Sequence, residues 1–329
     1  MIILCWITTL RSGEGGNFLI RIINTEPKVL GEYKNGNYKV TIYENGTKIR
    51  ETFDENATEF VPIKPECMDV KITNCCDRNC KMCHEDSKID GEHGEVLGLK
   101  FWDSLLPYTE IALGGGNPLS HPDLVTLLLK LKKLKLIPNM TVNQVHFMEN
   151  KEFIRFLCNE KLIYGLGVSL TDANDAFIKE IQKFPNAVIH IINGIVTKEE
   201  LEKLANKNLK VLILGYKTFR RGEKYFEINH DKVVELKSML YDYLPKMLNK
   251  FKVVSFDNLA LEQLNVRRLL TEEEWNNFYM GNDGNYTMYI DLVKQNFAMS
   301  SVSTERFDLL DDIELMFNKV RELADLKEN

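Results

Sequence analysis

The pattern of apolar and polar positions changes character twice along this chain, and the changes divide it. From residue 18 to 65 it consists of short β-rich runs, Lys28 to Tyr33, Tyr38 to Tyr43 and Lys48 to Phe53, separated by Lys34-Asn-Gly-Asn37 and Glu44-Asn-Gly-Thr47. Asn-Gly between such runs is the strongest short hairpin signal, because both residues tolerate positive φ. The pattern predicts a small antiparallel β meander. Its plain role is to cap the core; a functional one would be to dock a peptide at its edge. Val61-Pro-Ile-Lys-Pro65 forms a joint between the meander and the core. Ahead of the meander, Ile2 to Leu10 is apolar but too short to span a bilayer, and it lacks a cationic n-region or a clear cleavage site. With the linker-like Arg11 to Asn17, it makes residues 1–17 a peripheral tail.

From residue 66 to 250, β-like runs alternate with amphipathic helical ones. The strands are expected near Asp69 to Thr73, Glu110 to Leu113, Asn139 to Val142, Leu166 to Leu170, Ala187 to Ile192 and Lys210 to Leu214. The helices are expected near Leu97 to Leu106, Asp123 to Lys135, Glu149 to Asn159, Ala173 to Phe184, Lys198 to Asn206 and Asp231 to Asn249. Six β/α units predict an α/β fold with a parallel sheet and outer helices. The pattern fits an open doubly wound sheet or a partial barrel equally well. In either, reactive groups gather at the C-terminal ends of the strands. From residue 251 to 329 the alternation breaks into β-like runs at Lys252 to Phe256, Tyr286 to Leu292 and Asn296 to Met299, with helices at Glu272 to Phe278 and Glu305 to Lys327. This is an α+β C-terminal extension.

Composition narrows the class. A chain of 329 residues, 44% hydrophobic and 27% charged, is that of a water-soluble globular protein with a sizeable core. A net charge of −6 argues against broad nucleic-acid binding, and no membrane association is expected. Of seven cysteines, four crowd between residues 75 and 83, which fits metal binding in a reducing, cytoplasmic compartment better than secretion.

Those cysteines carry the candidate chemistry. In Lys71-Ile-Thr-Asn-Cys-Cys-Asp-Arg-Asn-Cys-Lys-Met-Cys-His84, the loop after the first core strand, Cys76, Cys80 and Cys83 have the spacing C-x3-C-x2-C. Gaps this short let three thiolates converge on one metal centre and are unsuited to a disulfide framework. A [4Fe–4S] cluster usually takes four cysteines, so three leave one iron open. A structural zinc site on Cys76, Cys80, Cys83 and His84 is the alternative, a non-catalytic module. Cys75 would lengthen the first gap and is taken as an auxiliary thiol.

The spacing resembles that of the radical S-adenosylmethionine enzymes, with Met82 where an aromatic residue is usual before the last cysteine. The resemblance implies a partial (β/α)6 TIM-like barrel, a [4Fe–4S] cluster on Cys76, Cys80 and Cys83, and S-adenosylmethionine as cofactor. Gly114-Gly115-Gly116-Asn117 resembles the family's GGE element, which holds the cofactor's amino group, with Asn117 in place of the Glu. The matching strand ends imply further contacts at Asn143 (in Thr141-Val-Asn143), Ser169, Asn193 (in His190-Ile-Ile-Asn-Gly194, whose usual distal Glu is Thr197) and Tyr216. It also implies an external one-electron donor of flavodoxin or ferredoxin type. The extension holds no cysteine, so one cluster is expected. The substrate is left open, a peptide or protein among the candidates. His121 and Asp123 are expected to cap a helix, Lys217 to Lys224 to be a solvated loop at the barrel mouth, with a site for an anionic substrate group as the alternative, and His84 to His93 a polar lid or connection.

Overall fold

The computed structural model describes residues 28–57 and 59–328, so the expected tail at 1–17 and the meander's start up to residue 27 lie outside the described residues. Three antiparallel strands, β1 (Val29–Asn35), β2 (Tyr38–Tyr43) and β3 (Lys48–Thr52), form the meander in sequential order. Asn35 pairs with Tyr38 across the first Asn-Gly turn, where Gly36 has φ +62° and a side chain would collide with the Val61 carbonyl.

The core is one ten-stranded sheet in the order β10-β9-β8-β7-β6-β5-β4-β11-β12-β13. Its strands are β4 (Cys67–Thr73), β5 (Glu110–Gly115), β6 (Ile137–Asn143), β7 (Gly165–Ser169), β8 (Ala187–Ile192), β9 (Lys210–Leu214), β10 (Val253–Phe256), β11 (Thr287–Asp291), β12 (Asn296–Ala298) and β13 (Phe307–Asp308). The helices are α1 (Leu124–Lys133), α2 (Gln144–Glu149), α3 (Lys151–Asn159), α4 (Asp175–Ile181), α5 (Lys198–Leu204), α6 (Arg221–Ile228), α7 (His230–Met247), α8 (Asn258–Gln263), α9 (Glu272–Phe278) and α10 (Ile313–Glu328). Leu127, Leu128 and Leu131 of α1, Ile154 and Leu157 of α3, and Leu240 and Leu244 of α7 recur at helical spacing and join the buried core cluster.

The large parallel sheet is consistent with a partial barrel, but it has more strands than six. β10 extends the parallel ladder beside β9, and β11 pairs in parallel with β4 at the other side. The alternation therefore does not stop at residue 250. All four residues of β10 are buried, so this strand shows no period of two to mark it as part of the sheet. No ladder joins β10 to β11 or β13 among the described residues. Other expected elements shift too. Leu97 to Leu106 holds only a 3-10 turn at Lys100–Ser104 that buries Phe101 and Trp102. The stretch expected to be a solvated loop runs into α6.

The meander sits at the N-terminal ends of the core strands. Glu66, just before β4, accepts hydrogen bonds from Tyr38 Oη (2.7 Å) and from Arg50 Nε (2.8 Å) and Nη2 (3.1 Å). Lys48 Nζ lies 3.4 Å from Glu66 and 2.8 Å from Glu110, the first residue of β5. Two cations and two carboxylates thus close a buried, neutral network between β3 and the sheet. The cap is on the end away from the cysteine loop.

Candidate active site

β4 delivers the chain to the cysteine loop at its C-terminal end. Thr73 Oγ1 accepts the Cys75 N–H (2.9 Å), the Asn74 N–H donates to Glu92 O (2.8 Å), and the Cys76 N–H donates to Lys88 O (2.7 Å). Residues 74–93 therefore close on themselves. Cys75 Sγ turns to the Ile89 carbonyl at 3.3 Å, while Cys76, Cys80 and Cys83 line a cavity of about 520 Å³ that does not include Cys75. Burial pushes the Cys76 and Cys80 thiols up, with the neighbouring thiols adding to it.

The expected solvated loop proves to be a clamp on this segment. The Arg221 guanidinium donates to Asn79 Oδ1 and to Ser87 O (2.6 Å) and lies 3.0 Å from Asp86. Arg220, at φ +53°, donates to Glu85 O at 2.9 Å. These arginines are held by the loop that carries the cysteines, which the charge pattern alone did not reveal.

The glycine turn packs on the cysteine loop. The Gly116 N–H donates to Thr73 O (2.8 Å) and the Asn117 N–H to Cys75 O (2.7 Å). A side chain on Gly116 would lie 2.8 Å from the Cys75 carbonyl carbon, and one on Gly115, at φ +107°, would collide with Thr73 O. A side chain on Gly114 would meet nothing within 4 Å. Gly115 and Gly116 line the cavity; Gly114 and Asn117 do not. Asn117 Oδ1 instead accepts the Leu119 N–H at 3.2 Å and caps a 3-10 turn. Its acceptor thus already holds one hydrogen bond, and the residue is off the cavity wall. His121, expected as a cap, accepts the Asp123 N–H on Nδ1 at 3.1 Å while Nε2 lies 2.9 Å from Gly94 O.

Asn143, Ser169 and Tyr216 all line the same cavity. Asn143 Oδ1 caps α2 through the Val145 N–H (2.9 Å). The Tyr216 hydroxyl donates to Gly222 O (2.7 Å). Asn193 lies off the cavity wall, fully buried, and its amide donates to Gln263 Oε1 at 3.0 Å. Thr197 forms a capping box with Glu200 at α5.

Several cavity residues escaped the sequence reading. His190 on β8 packs against Gly167, its Nε2 is buried without a partner, and burial pushes its pKa down to about 3. Lys71, buried on β4, lies 2.8 Å from Glu85 and 3.7 Å from Asp291 of β11. Burial alone would raise the Glu85 carboxyl, but His84 and Lys71 hold it well below the usual range. A lysine in a run predicted to be buried was the one available signal. Lys217 Nζ donates to Ser301 Oγ at 3.0 Å and lies 3.4 Å from His84 Nε2. Lys217 and Ser301 also line a second cavity of about 730 Å³, walled by α8, Trp275, Tyr279 and Asp283, so the two cavities meet there.

The three sulfurs share one cavity yet do not all lie within 4.8 Å of one another. A single tetrahedral ion with bonds of about 2.3 Å would need sulfurs roughly 3.8 Å apart. An all-thiol set on one cavity is a donor set that an iron–sulfur cluster accepts. His84, beside the Lys217 ammonium, is poorly placed as a zinc ligand.

No protein-family profile matches the sequence, and no curated protein matches it. Solved structures do resemble it in fold. SuiB of Streptococcus suis bound to precursor peptide SuiA superposes with a TM-score of 0.57 at 12% identity, over 90% of each chain. A second SuiB structure gives 0.53 at 12% identity, over 86% of this chain and 85% of that one. SuiB bound to S-adenosylmethionine gives 0.50 at 15% identity, over 82% and 67%. Among the described residues, no helix is long and apolar enough to cross a membrane.

Proposed function

We propose that this chain is a radical S-adenosylmethionine enzyme. The observation that carries the reading is the convergence of Cys76, Cys80 and Cys83 with Gly115, Asn143 and Ser169 on one cavity at the C-terminal ends of the strands. The fold it shares with SuiB, a protein solved with S-adenosylmethionine, supports it. When bound, a [4Fe–4S] cluster with one open iron supplies an electron that cleaves S-adenosylmethionine to a radical able to abstract hydrogen from a substrate.

The chain's own residues bind, orient and exclude water. Cys76, Cys80 and Cys83 would hold the cluster, and Arg220 and Arg221 fix the loop that presents them. The glycine turn packs on the backbone of that loop, while Gly115, Asn143, Ser169 and Tyr216 would contact the cofactor. His190 lines the cavity with its ring packed at Gly167. The 730 Å³ cavity that opens at Lys217 and Ser301 is the place for a substrate beside the cofactor. Its asparagines, serines and aromatic pair suit the amide groups of a peptide, and SuiB is seen with a precursor peptide. The electron would come from an external flavodoxin- or ferredoxin-type donor, and the reducing cytoplasm suits the thiolates. Anaerobic reconstitution tests the reading: the chain should take up about four irons, and Cys76→Ala, Cys80→Ala or Cys83→Ala should abolish the uptake.

A further inference from the structure

Cys76 Sγ, a carboxylate oxygen of Asp77 and a ring nitrogen of His146 lie within 4.8 Å of one another, the one such trio of metal-ligating groups among the described residues. We propose that the cluster-free chain binds a single borderline divalent ion, Zn2+ being the type, on Cys76 Sγ, Asp77 Oδ1 and His146 Nε2, and that this ion excludes cluster assembly by withholding Cys76.

The site is built by two distant pieces of chain. Asn143 caps α2 at its N-terminus, and His146 comes three residues later on the first turn, buried. Its Nε2 lies 2.5 Å from Asp77 Oδ1, next to Cys76 in the cysteine loop. One thiolate, one imidazole and one carboxylate make a donor set that zinc accepts. Tetrahedral bonds of about 2.0–2.3 Å require ligand atoms roughly 3.3–3.8 Å apart. The Asp77–His146 pair must therefore open by about 1 Å.

The protons are accounted for. Binding releases the Cys76 thiol proton to solvent and requires His146 Nε2 to carry no hydrogen, the ring hydrogen then sitting on Nδ1. His146 Nδ1 is buried without a partner, so the ring hydrogen placed there is an unsatisfied donor, a cost that the bonds to the ion must exceed. The hydrogen bond given up, to Asp77, is replaced by two bonds to the ion. Arg78 Nη2 donates to Asp77 Oδ2 at 2.5 Å, which leaves Oδ1 on the His146 side. Asp77 is 42% exposed, so water can fill the fourth position. Cys76 cannot serve this ion and a cluster at once.

Cobalt reports such a site directly, through a thiolate charge-transfer band and the visible bands of tetrahedral Co2+. Chelator-stripped, cluster-free protein should bind one Co2+ per chain, displaced by Zn2+. The Cys80→Ala/Cys83→Ala double variant should keep the one-thiolate spectrum. His146→Gln, folded by circular dichroism, should weaken binding at least tenfold. Zn2+ added first should slow iron and sulfide uptake in the native chain but not in His146→Gln. A spectrum that vanishes in the double cysteine variant and survives in His146→Gln would overturn the assignment. Equal slowing by zinc in both proteins would overturn the competition.

Discussion

The glycine triplet gives a prediction internal to three consecutive residues. Gly116→Ala puts a methyl 2.8 Å from the Cys75 carbonyl carbon, so the turn must retreat from the cysteine loop. Retreat breaks the bonds from Gly116 N–H to Thr73 O and from Asn117 N–H to Cys75 O. Each is worth about 0.5–1.5 kcal/mol net. If the turn stays, strain of about 1–3 kcal/mol replaces that loss. The expected cost is therefore about 1–3 kcal/mol by either route. Gly115→Ala should cost at least as much, because its φ of +107° adds backbone strain to the collision. Gly114→Ala meets nothing within 4 Å and should be neutral or slightly stabilising, up to about 1 kcal/mol. Urea unfolding of the cluster-free proteins measures all three, as midpoint shifts at constant slope. Equal midpoints for Gly114→Ala and Gly116→Ala would refute the packing argument.

Three further outcomes rest on the contacts of the core and the cysteine loop. Glu66→Gln leaves Arg50 and Lys48 short of a carboxylate in a buried site and should cost about 3–5 kcal/mol in thermal or urea unfolding. Burial alone would raise the Glu66 carboxyl, but Lys48, Arg50 and Tyr38 hold it below its usual value. Its folded pKa is thus depressed, so its stabilisation is full above about pH 4.3 and fades as pH falls through the folded value; Glu66→Gln should lose that acid limb. Arg221→Met should speed amide exchange in residues 79–88 while shifting global stability little, and unchanged exchange would count against the clamp. Cys75→Ser should retain iron after reconstitution, because its sulfur faces Ile89, while Cys76→Ser should not.

Much of this arrangement was legible in the sequence because it rests on local signals. Asn-Gly turns announced the meander, alternating periods announced the parallel sheet, and the cysteine spacing placed the loop at a strand's C-terminal end. What escaped depends on partners distant in sequence. β10 and β11 join opposite sides of the sheet, and nothing in either run says which strand it will meet. Arg221 and Asn79 are separated by 142 residues, so a clamp looked like a solvated charge run. The glycine turn suggested a ligand cradle, but Gly115 and Gly116 are small because the neighbouring loop comes close. Asn117 kept the position of an expected cofactor ligand while its acceptor closed a local turn. His146 and Asp77 lie 69 residues apart and meet only through α2.

Under the proposed function, Cys76, Cys80 and Cys83 serve reductive cleavage of S-adenosylmethionine in the cavity they share with Asn143 and Ser169. The most direct measurement is 5′-deoxyadenosine released by anaerobically reconstituted protein given S-adenosylmethionine and dithionite. Product formation should require all three cysteines and be undiminished in Cys75→Ser. A folded protein that holds about four irons, yet releases no 5′-deoxyadenosine above the level of its cysteine variants, would contradict it.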